Sequence, residues 1–183
     1  PVEETLEAYK KLIDEGKVRY IGASNISNER LKVSLEASAK NDLPKYEVSQ
    51  PEYSLMERGK FEGELRDICS KNNMGVTSYF SLASGFLTGK YSSAEDIEGR
   101  EREKFLQEYF NEKGKKVLQA LSDISKHHNI SQAALALRWI MQRPGITAPI
   151  ASATKPEQLR SFEEAMNTEL SPEEMEKLNK VSG

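Results

Sequence analysis

The sequence predicts an α/β fold built on a parallel sheet, and three observations carry that prediction. Short runs rich in β-branched and aromatic residues recur, centred near residues 20, 48, 77 and 149. Each run is followed by a segment with helical spacing of apolar residues. The first two gaps between runs are about 28 residues, the length of a strand–loop–helix–loop unit. Strands that alternate with helices this way pair in parallel through right-handed crossovers. With 183 residues, the chain reads as one domain that buries roughly 70% of its unfolded surface.

The elements follow in order. Residues 2–14 predict a helix, because Leu6, Tyr9, Leu12 and Ile13 share a face and Glu3 and Glu4 suit the positive end of the helix dipole. Gly16 is the stop. Val18 to Ala23 reads as the first strand, closed by Ser24 and Asn25, and Asn28 is the expected cap of a helix over 29–39. Pro44 breaks the chain before a second strand from Tyr46 to Ser49, ended by Gln50 and Pro51. A helix over 61–72 carries Phe61, Leu65, Ile68 and Cys69 on its apolar stripe. Gly75 to Tyr79 is the third strand and Ile146 to Ala151 the fourth. Between these lie a Gly/Ser-containing loop (80–91), a charged stretch (95–104) expected to be a solvated face, and helices over 111–128 and 131–142, the second capped by Ser131. A helix over 156–165 follows the fourth strand. Ser171-Pro172-Glu173-Glu174 opens a closing helix, with an N-cap and proline in the first turn. Periodicity leaves two architectures open, an open doubly wound sheet or part of a (β/α)8 barrel.

Composition excludes several classes. No run approaches the ~18 apolar residues of a membrane span. Lys and Arg number 26 against 29 Asp and Glu, a net charge of −3, so no basic excess marks a nucleic-acid binder. The single cysteine, Cys69, allows no internal disulfide and fits a reducing, cytoplasmic compartment. The chain opens Pro1-Val2-Glu3-Glu4, without Met and without the basic and apolar segments of a secretory signal. It reads as a trimmed start or a piece of something longer. His127 and His128 are adjacent at a predicted helix end and are expected to face apart rather than form a metal pair. No metal site and no Ser-His-Asp or Cys-His arrangement is expected.

Ligands of parallel α/β folds bind beyond the C-terminal ends of strands. Those ends carry Ser24 and Asn25, then Gln50, then Tyr79 through Tyr91, then Ser152 to Lys155. Asn25 and Gln50 offer the donor and acceptor that a carboxamide needs. Tyr79 offers a face for a flat heteroaromatic ring. The stretch from Ser81 to Lys90 offers hydroxyls, backbone amides and a cation for a diphosphate. Residues 152–156 offer a helix N-terminus with Lys155 for a terminal phosphate. Together they describe a surface for a nicotinamide dinucleotide, although the G-x-G-x-x-G fingerprint is absent. Each residue also has an ordinary reading: Ser24 and Asn25 as a turn, Gln50 as a loop residue, Tyr79 as rim packing, 83–91 as a plain loop, Lys155 as a solvated charge.

Five blocks, in order, resemble the aldo-keto reductase family. Residues 15–25 (EGKVRYIGASN) resemble its G-K-x-R-x-x-G-x-S-N segment, and 50–55 (QPEYSL) its Q-x-x-Y-N-L stretch. Residues 79–91 are similar to Y-S-P-L-x-x-G-x-L-T-G-K-Y. Ala134 to Trp139 is similar to the helix before the last strand, and 149–159 to P-I-x-G-x-x-x-x-E-Q-L. The resemblance implies a TIM-type (β/α)8 barrel of which residues 1–183 supply about the second half, strands five to eight, with no separate second domain. It implies NAD(P)H-dependent reduction of aldehydes or ketones in the complete barrel, with the catalytic tetrad on earlier strands and no catalytic residue here. By position, Ser24, Asn25 and Gln50 would hold the nicotinamide carboxamide, and Tyr79 would stack on its ring. Phe80, Ser81, Leu82, Ser84, Gly85 and Lys90 would line the diphosphate. Ser152, Thr154 and Lys155 would surround the adenosine 2′ position, with Gln158 beside the ribose. Phe80-Ser81 replaces the usual Ser-Pro, and Phe162 stands where the family often has Asn. These departures leave NADP or NAD open. The expected partners are a small carbonyl substrate and the missing N-terminal half or a second copy, with no nucleic acid or membrane. The alternative is a non-catalytic, cofactor- or partner-binding half-barrel resembling potassium-channel β subunits.

Overall fold

The computed structural model of the chain describes residues 1–91, 93–99 and 103–183. Four parallel strands, β1 (Ile21–Ser24), β2 (Tyr46–Gln50), β3 (Gly75–Ser78) and β4 (Ala148–Pro149), form one sheet in strictly sequential order. A doubly wound sheet reverses its strand order at a switch point. No reversal occurs among the described strands, and sequential parallel order is consistent with the (β/α)8 barrel architecture. The ladder pairs Ser24 with Gln50, Ser49 with Val76, and Ser78 with Pro149. The candidate residues at the ends of β1 and β2 are thereby neighbours.

The helices are α1 (Val2–Asp14), α2 (Asn28–Asn41), α3 (Glu64–Lys71), α4 (Glu103–Gln107), α5 (Glu112–His128), α6 (Gln132–Met141), α7 (Arg160–Asn167) and α8 (Pro172–Ser182). Gly16, at φ +70°, ends α1 as its position requires, donating its amide to Ile13 O at 2.9 Å. Ser131 caps α6 as expected. Ser171 caps α8 within a reciprocal capping box with Glu174.

Several expectations need correction. The cap of α2 is Ser27, whose hydroxyl accepts from Arg30 N, and Asn28 is the first helical residue. The first strand begins at Ile21, so Val18 to Tyr20 lie outside it. The fourth shrinks to two residues. Edge runs of β-branched residues form strand only where a neighbour supplies ladder bonds. The third helix starts at Glu64, after turns over 59–63. The helix after β4 opens as a 3-10 turn, Pro156–Leu159, before α7. The charged stretch is not only a solvated face. It includes most of a 3-10 turn (Ala94–Ile97) that carries Glu95 and Asp96 and whose Ile97 is fully buried, as is Leu106 of α4. Residues 100–102 of that stretch lie outside the described residues.

The core lies between sheet and helices. Leu6, Leu31, Val76, Leu87, Leu121 and Leu135 are completely buried within it. Cys69 is a buried core residue as expected, and burial pushes its thiol pKa up. Below the sheet, a polar cluster ties the C-terminal helix to the loop after β2. Trp139 stacks on Tyr53 with ring centroids 5.4 Å apart, and its indole N–H donates to Asn179 Oδ1 at 3.0 Å. Glu62 accepts from Arg58 Nη2 at 2.7 Å, Arg143 Nη2 at 2.9 Å and the Tyr53 hydroxyl at 2.5 Å. Arg58 also donates to Asn179 O and to Ser182 Oγ.

Candidate cofactor cleft

The strand-end residues fall into two adjoining groups. The first gathers at the ends of β1, β2 and β3. The Ser24 hydroxyl donates to Gln50 O at 2.9 Å, and the Tyr79 hydroxyl donates to Asn25 Oδ1 at 2.7 Å. Backbone bonds from Tyr79 N to Pro51 O (3.0 Å) and from Tyr53 N to Tyr79 O (3.3 Å) carry the pairing past the ends of β2 and β3. Asn25 sits at φ +53°, a conformation that Asn tolerates better than most residues. Ser24 with Gln50 and Asn25 with Tyr79 thus form two hydrogen-bonded pairs joined through the adjacent Ser24 and Asn25.

The second group lines a cleft of about 1230 Å³, large for a drug-sized ligand and of a size suited to a dinucleotide. Phe80, Ser81, Leu82, Ser84, Gly85 and Lys90 form one wall. Ser152, Thr154 and Gln158 form another. Ser24, Asn25, Gln50, Tyr79 and Lys155 do not line this cleft. The Tyr79 and Phe80 rings meet edge to face, centroids 5.3 Å apart, and join the two groups.

The 80–91 loop is not a plain loop. Phe80, Ala83 and Ser84 adopt φ of +51°, +47° and +56°, and Gly85 and Gly89 lie at +97° and +71°. Among the described residues, the other positive-φ positions apart from glycine and Asn25 are Asp42, Asn73 and Asn129, residue types that accept that region at helix ends. Phe80, Ala83 and Ser84 have no such excuse, and strain of this kind clusters at ligand-binding loops. A Cβ on Gly85 would lie 3.3 Å from Lys90 Nζ, so the missing side chain lets the ammonium rest against the loop backbone. Lys90 Nζ also lies over the Tyr91 ring, 4.7 Å from its centroid.

At the opposite wall, Gln158 Oε1 accepts from Thr154 N at 2.7 Å, Lys155 N at 3.2 Å and Thr154 Oγ1 at 3.3 Å. Those amides are the ones that sequence reasoning assigned to a phosphate. In the structure the Gln158 amide oxygen occupies them, and an anion there would take over its bonds. A third wall was missed by sequence reasoning, except for Phe162, which was singled out by position. It comprises Ser125, Lys126, Asn129 and Ile130 at the end of α5, Ser131 at the start of α6, and Arg160, Phe162 and Glu164 on α7. Glu164 Oε2 accepts from Ser131 N (2.9 Å) and Ser131 Oγ (2.8 Å), while Arg160 Nε donates to Oε1 at 2.8 Å. Burial works against the Glu164 anion, but these bonds and the Arg160 charge outweigh it and hold the carboxyl below its ordinary range. The local signal for this wall was the Ser131 cap, which marks a helix N-terminus without saying where it points.

The adjacent histidines also need a correction. Expected to face apart, both reach one carboxylate oxygen: His127 Nδ1 is 3.4 Å and His128 Nε2 is 2.8 Å from Glu174 Oε1. Their partner lies 46 residues from His128, on α8, beyond the reach of any local spacing rule.

The sequence of this chain matches the Aldo/keto reductase family over residues 1–182. The chain belongs to the aldo/keto reductase family. Its relatives carry varied names. It is 32% identical to a "Probable voltage-gated potassium channel subunit beta" of Oryza sativa subsp. japonica, over 99% of this chain and 57% of that protein. It is 30% identical to "Aldo-keto reductase YhdN" of Bacillus subtilis (strain 168), over 99% of this chain and 54% of that protein. It is 29% identical to "L-glyceraldehyde 3-phosphate reductase" of Escherichia coli (strain K12), over 91% of this chain and 50% of that protein. The chain spans about half the length of the curated relatives it matches. In this aldo/keto reductase chain, no helix among the described residues is long and apolar enough to cross a membrane.

Proposed function

We propose that residues 1–183 supply the dinucleotide-binding half of an NAD(P)H-dependent carbonyl reductase. The carrying observation is the cleft beyond β3 and β4, where the strained 80–91 loop, Lys90 and the hydroxyls of Ser81, Ser84, Ser152 and Thr154 converge. When bound, the nicotinamide cofactor supplies a hydride to the carbonyl carbon of an aldehyde or ketone. Asn25, held by Tyr79, presents an amide toward the carboxamide, with Ser24 and Gln50 alongside. Tyr79 offers its ring face to the nicotinamide and thereby selects which hydride faces the substrate. Lys90 and the loop amides neutralise the diphosphate. Ser152, Thr154 and Lys155 receive the adenosine end after Gln158 swings from the amides it holds. NADP is the cofactor of this reading, with NAD as the alternative. The proton donor that completes the reduction lies on upstream βα units, and with it the rest of the catalytic tetrad.

A missing half also fits the sheet. β1 and β4 are unpaired on their outer sides among the described strands, Tyr20 is 75% exposed just before β1, and Ile150 is 44% exposed just after β4. Open edges of this kind call for pairing with an N-terminal half or a second copy. The buried free thiol of Cys69 suits a cytoplasmic setting. The relative named as a channel β subunit supports a second reading, in which the same half-barrel binds cofactor and partners without turning over.

Titration of the protein with NADPH and NADH by fluorescence tests the proposal, with aldehyde reduction followed in parallel. NADPH should bind. Lys90→Met, which removes a charge-assisted bond, should weaken it by about tenfold or more. Binding without reduction would select the second reading. Absence of binding to either nucleotide would refute both.

A further inference from the structure

We propose that His127, His128 and Glu174 form a binding site for a divalent transition-metal ion of the zinc class, which staples the end of α5 to the start of α8. None of the three lines the cofactor cleft, so the site is independent of the reductase reading. One ligand atom from each of the three residues lies within 4.8 Å of the other two.

Adjacent helical residues diverge by roughly 100° around the axis, which ordinarily separates their side chains. Here one ring uses its near nitrogen and the other its far nitrogen, so both arrive at the same oxygen. The two rings stand 75° apart with centroids at 5.1 Å. α5 ends immediately after them, with Asn129 in the left-handed region, so no further helical turn covers the site.

Glu174 is arranged for two tasks. Its Oε2 accepts from Ser171 N at 2.9 Å in the capping box, which fixes the carboxylate. Its Oε1 faces the imidazoles, and the side chain is only 16% exposed. A metal would therefore leave the cap intact. A tetrahedral ion with ligands at about 2.0–2.1 Å has ligand–ligand edges of ~3.3 Å. The His127–Glu174 separation of 3.4 Å already equals that edge, and the His128–Glu174 pair, at 2.8 Å, must open slightly. Two imidazoles and one carboxylate select Zn2+, Ni2+ or Cu2+ over Mg2+ and Ca2+, which prefer all-oxygen sets. His127 is 78% exposed, which gives an entry path and leaves the fourth position to water.

The test uses untagged, chelator-stripped protein titrated with Zn2+ in competition with a chromophoric chelator, with Mg2+ as the control ion and Co2+ as the spectroscopic probe. The expected result is one equivalent of Zn2+ bound in the micromolar range, a tetrahedral Co2+ absorption band, a higher Tm with Zn2+ and no response to Mg2+. Glu174→Gln keeps an acceptor for the cap, and His127→Ala changes an exposed side chain, so both should fold normally. Each should weaken Zn2+ binding by about tenfold or more and abolish the Co2+ band. No saturable binding by the parent protein would overturn the proposal. So would binding that persists unchanged in both variants.

Discussion

Removing the Glu62 carboxylate should cost the fold far more than losing an ordinary surface charge. Burial raises its pKa, but hydrogen bonds from Arg58 and Tyr53 and the charge of Arg143 more than reverse that, bringing it from 4.5 to about 2. The group is depressed in the folded state, so its contribution is complete above pH 4.5 and is lost as pH falls toward 2. That depression corresponds to about 3 kcal/mol. Its side chain is 23% exposed, and residual solvent screening reduces that to about 2–3 kcal/mol. Glu62→Gln should therefore destabilise the protein by about 2–3 kcal/mol at pH 7, leaving Arg58 and Arg143 half-buried without their anion. Less than half of that difference should survive at pH 3, because the unfolded carboxyl is then already protonated while the folded one stays ionised, so unfolding takes up a proton. Urea unfolding at both pH values measures it, with far-UV circular dichroism alongside the fluorescence of Trp139, the single tryptophan, which packs within this cluster. A difference below ~0.5 kcal/mol at pH 7, the range of an ordinary surface pair, would refute the reasoning. A difference that does not shrink on acidification would do the same.

Further outcomes are expected from backbone and cap positions. Gly114→Ala would put a Cβ 1.9 Å from Tyr109 O and 2.9 Å from Phe86 Cζ, so the first turn of α5 must move, at about 3 kcal/mol and a Tm drop of roughly 6–12 °C. Gly85→Ala imposes a side chain at φ +97° and crowds Lys90; a loss of about 1–2 kcal/mol should appear in thermal unfolding together with weaker NADPH binding in titration. Ser171→Ala removes the hydroxyl that receives Glu174 N at 3.2 Å and should cost about 1 kcal/mol in chemical denaturation.

The helices were legible because their signals are local. The caps Ser131 and Ser171 and the stop at Gly16 all lie where the sequence puts them. Strand edges were less legible. Val18 and Tyr20 have strand composition, yet β1 starts at Ile21, since a ladder needs a partner and β2 first meets β1 there. The strand-end residues could be listed in advance from the rule that ligands sit beyond parallel strands. Their assembly could not be foreseen. That Tyr79 bonds Asn25, that Gln158 occupies the amides of Thr154 and Lys155, and that Phe80, Ala83 and Ser84 hold positive φ are facts of long-range packing.

By itself the sequence determined the alternation of strands and helices, the lack of a net basic excess, the buried cysteine and the set of strand-end residues, all of which rest on composition and short-range spacing. Only the tertiary structure decided the sequential order of the sheet, the third wall of the cleft, the Glu62 network and the meeting of His127 and His128 with Glu174. Those joins link residues dozens of positions apart, and their energies arise from burial and hydrogen-bond geometry that exist only once α5 to α8 have packed around the sheet.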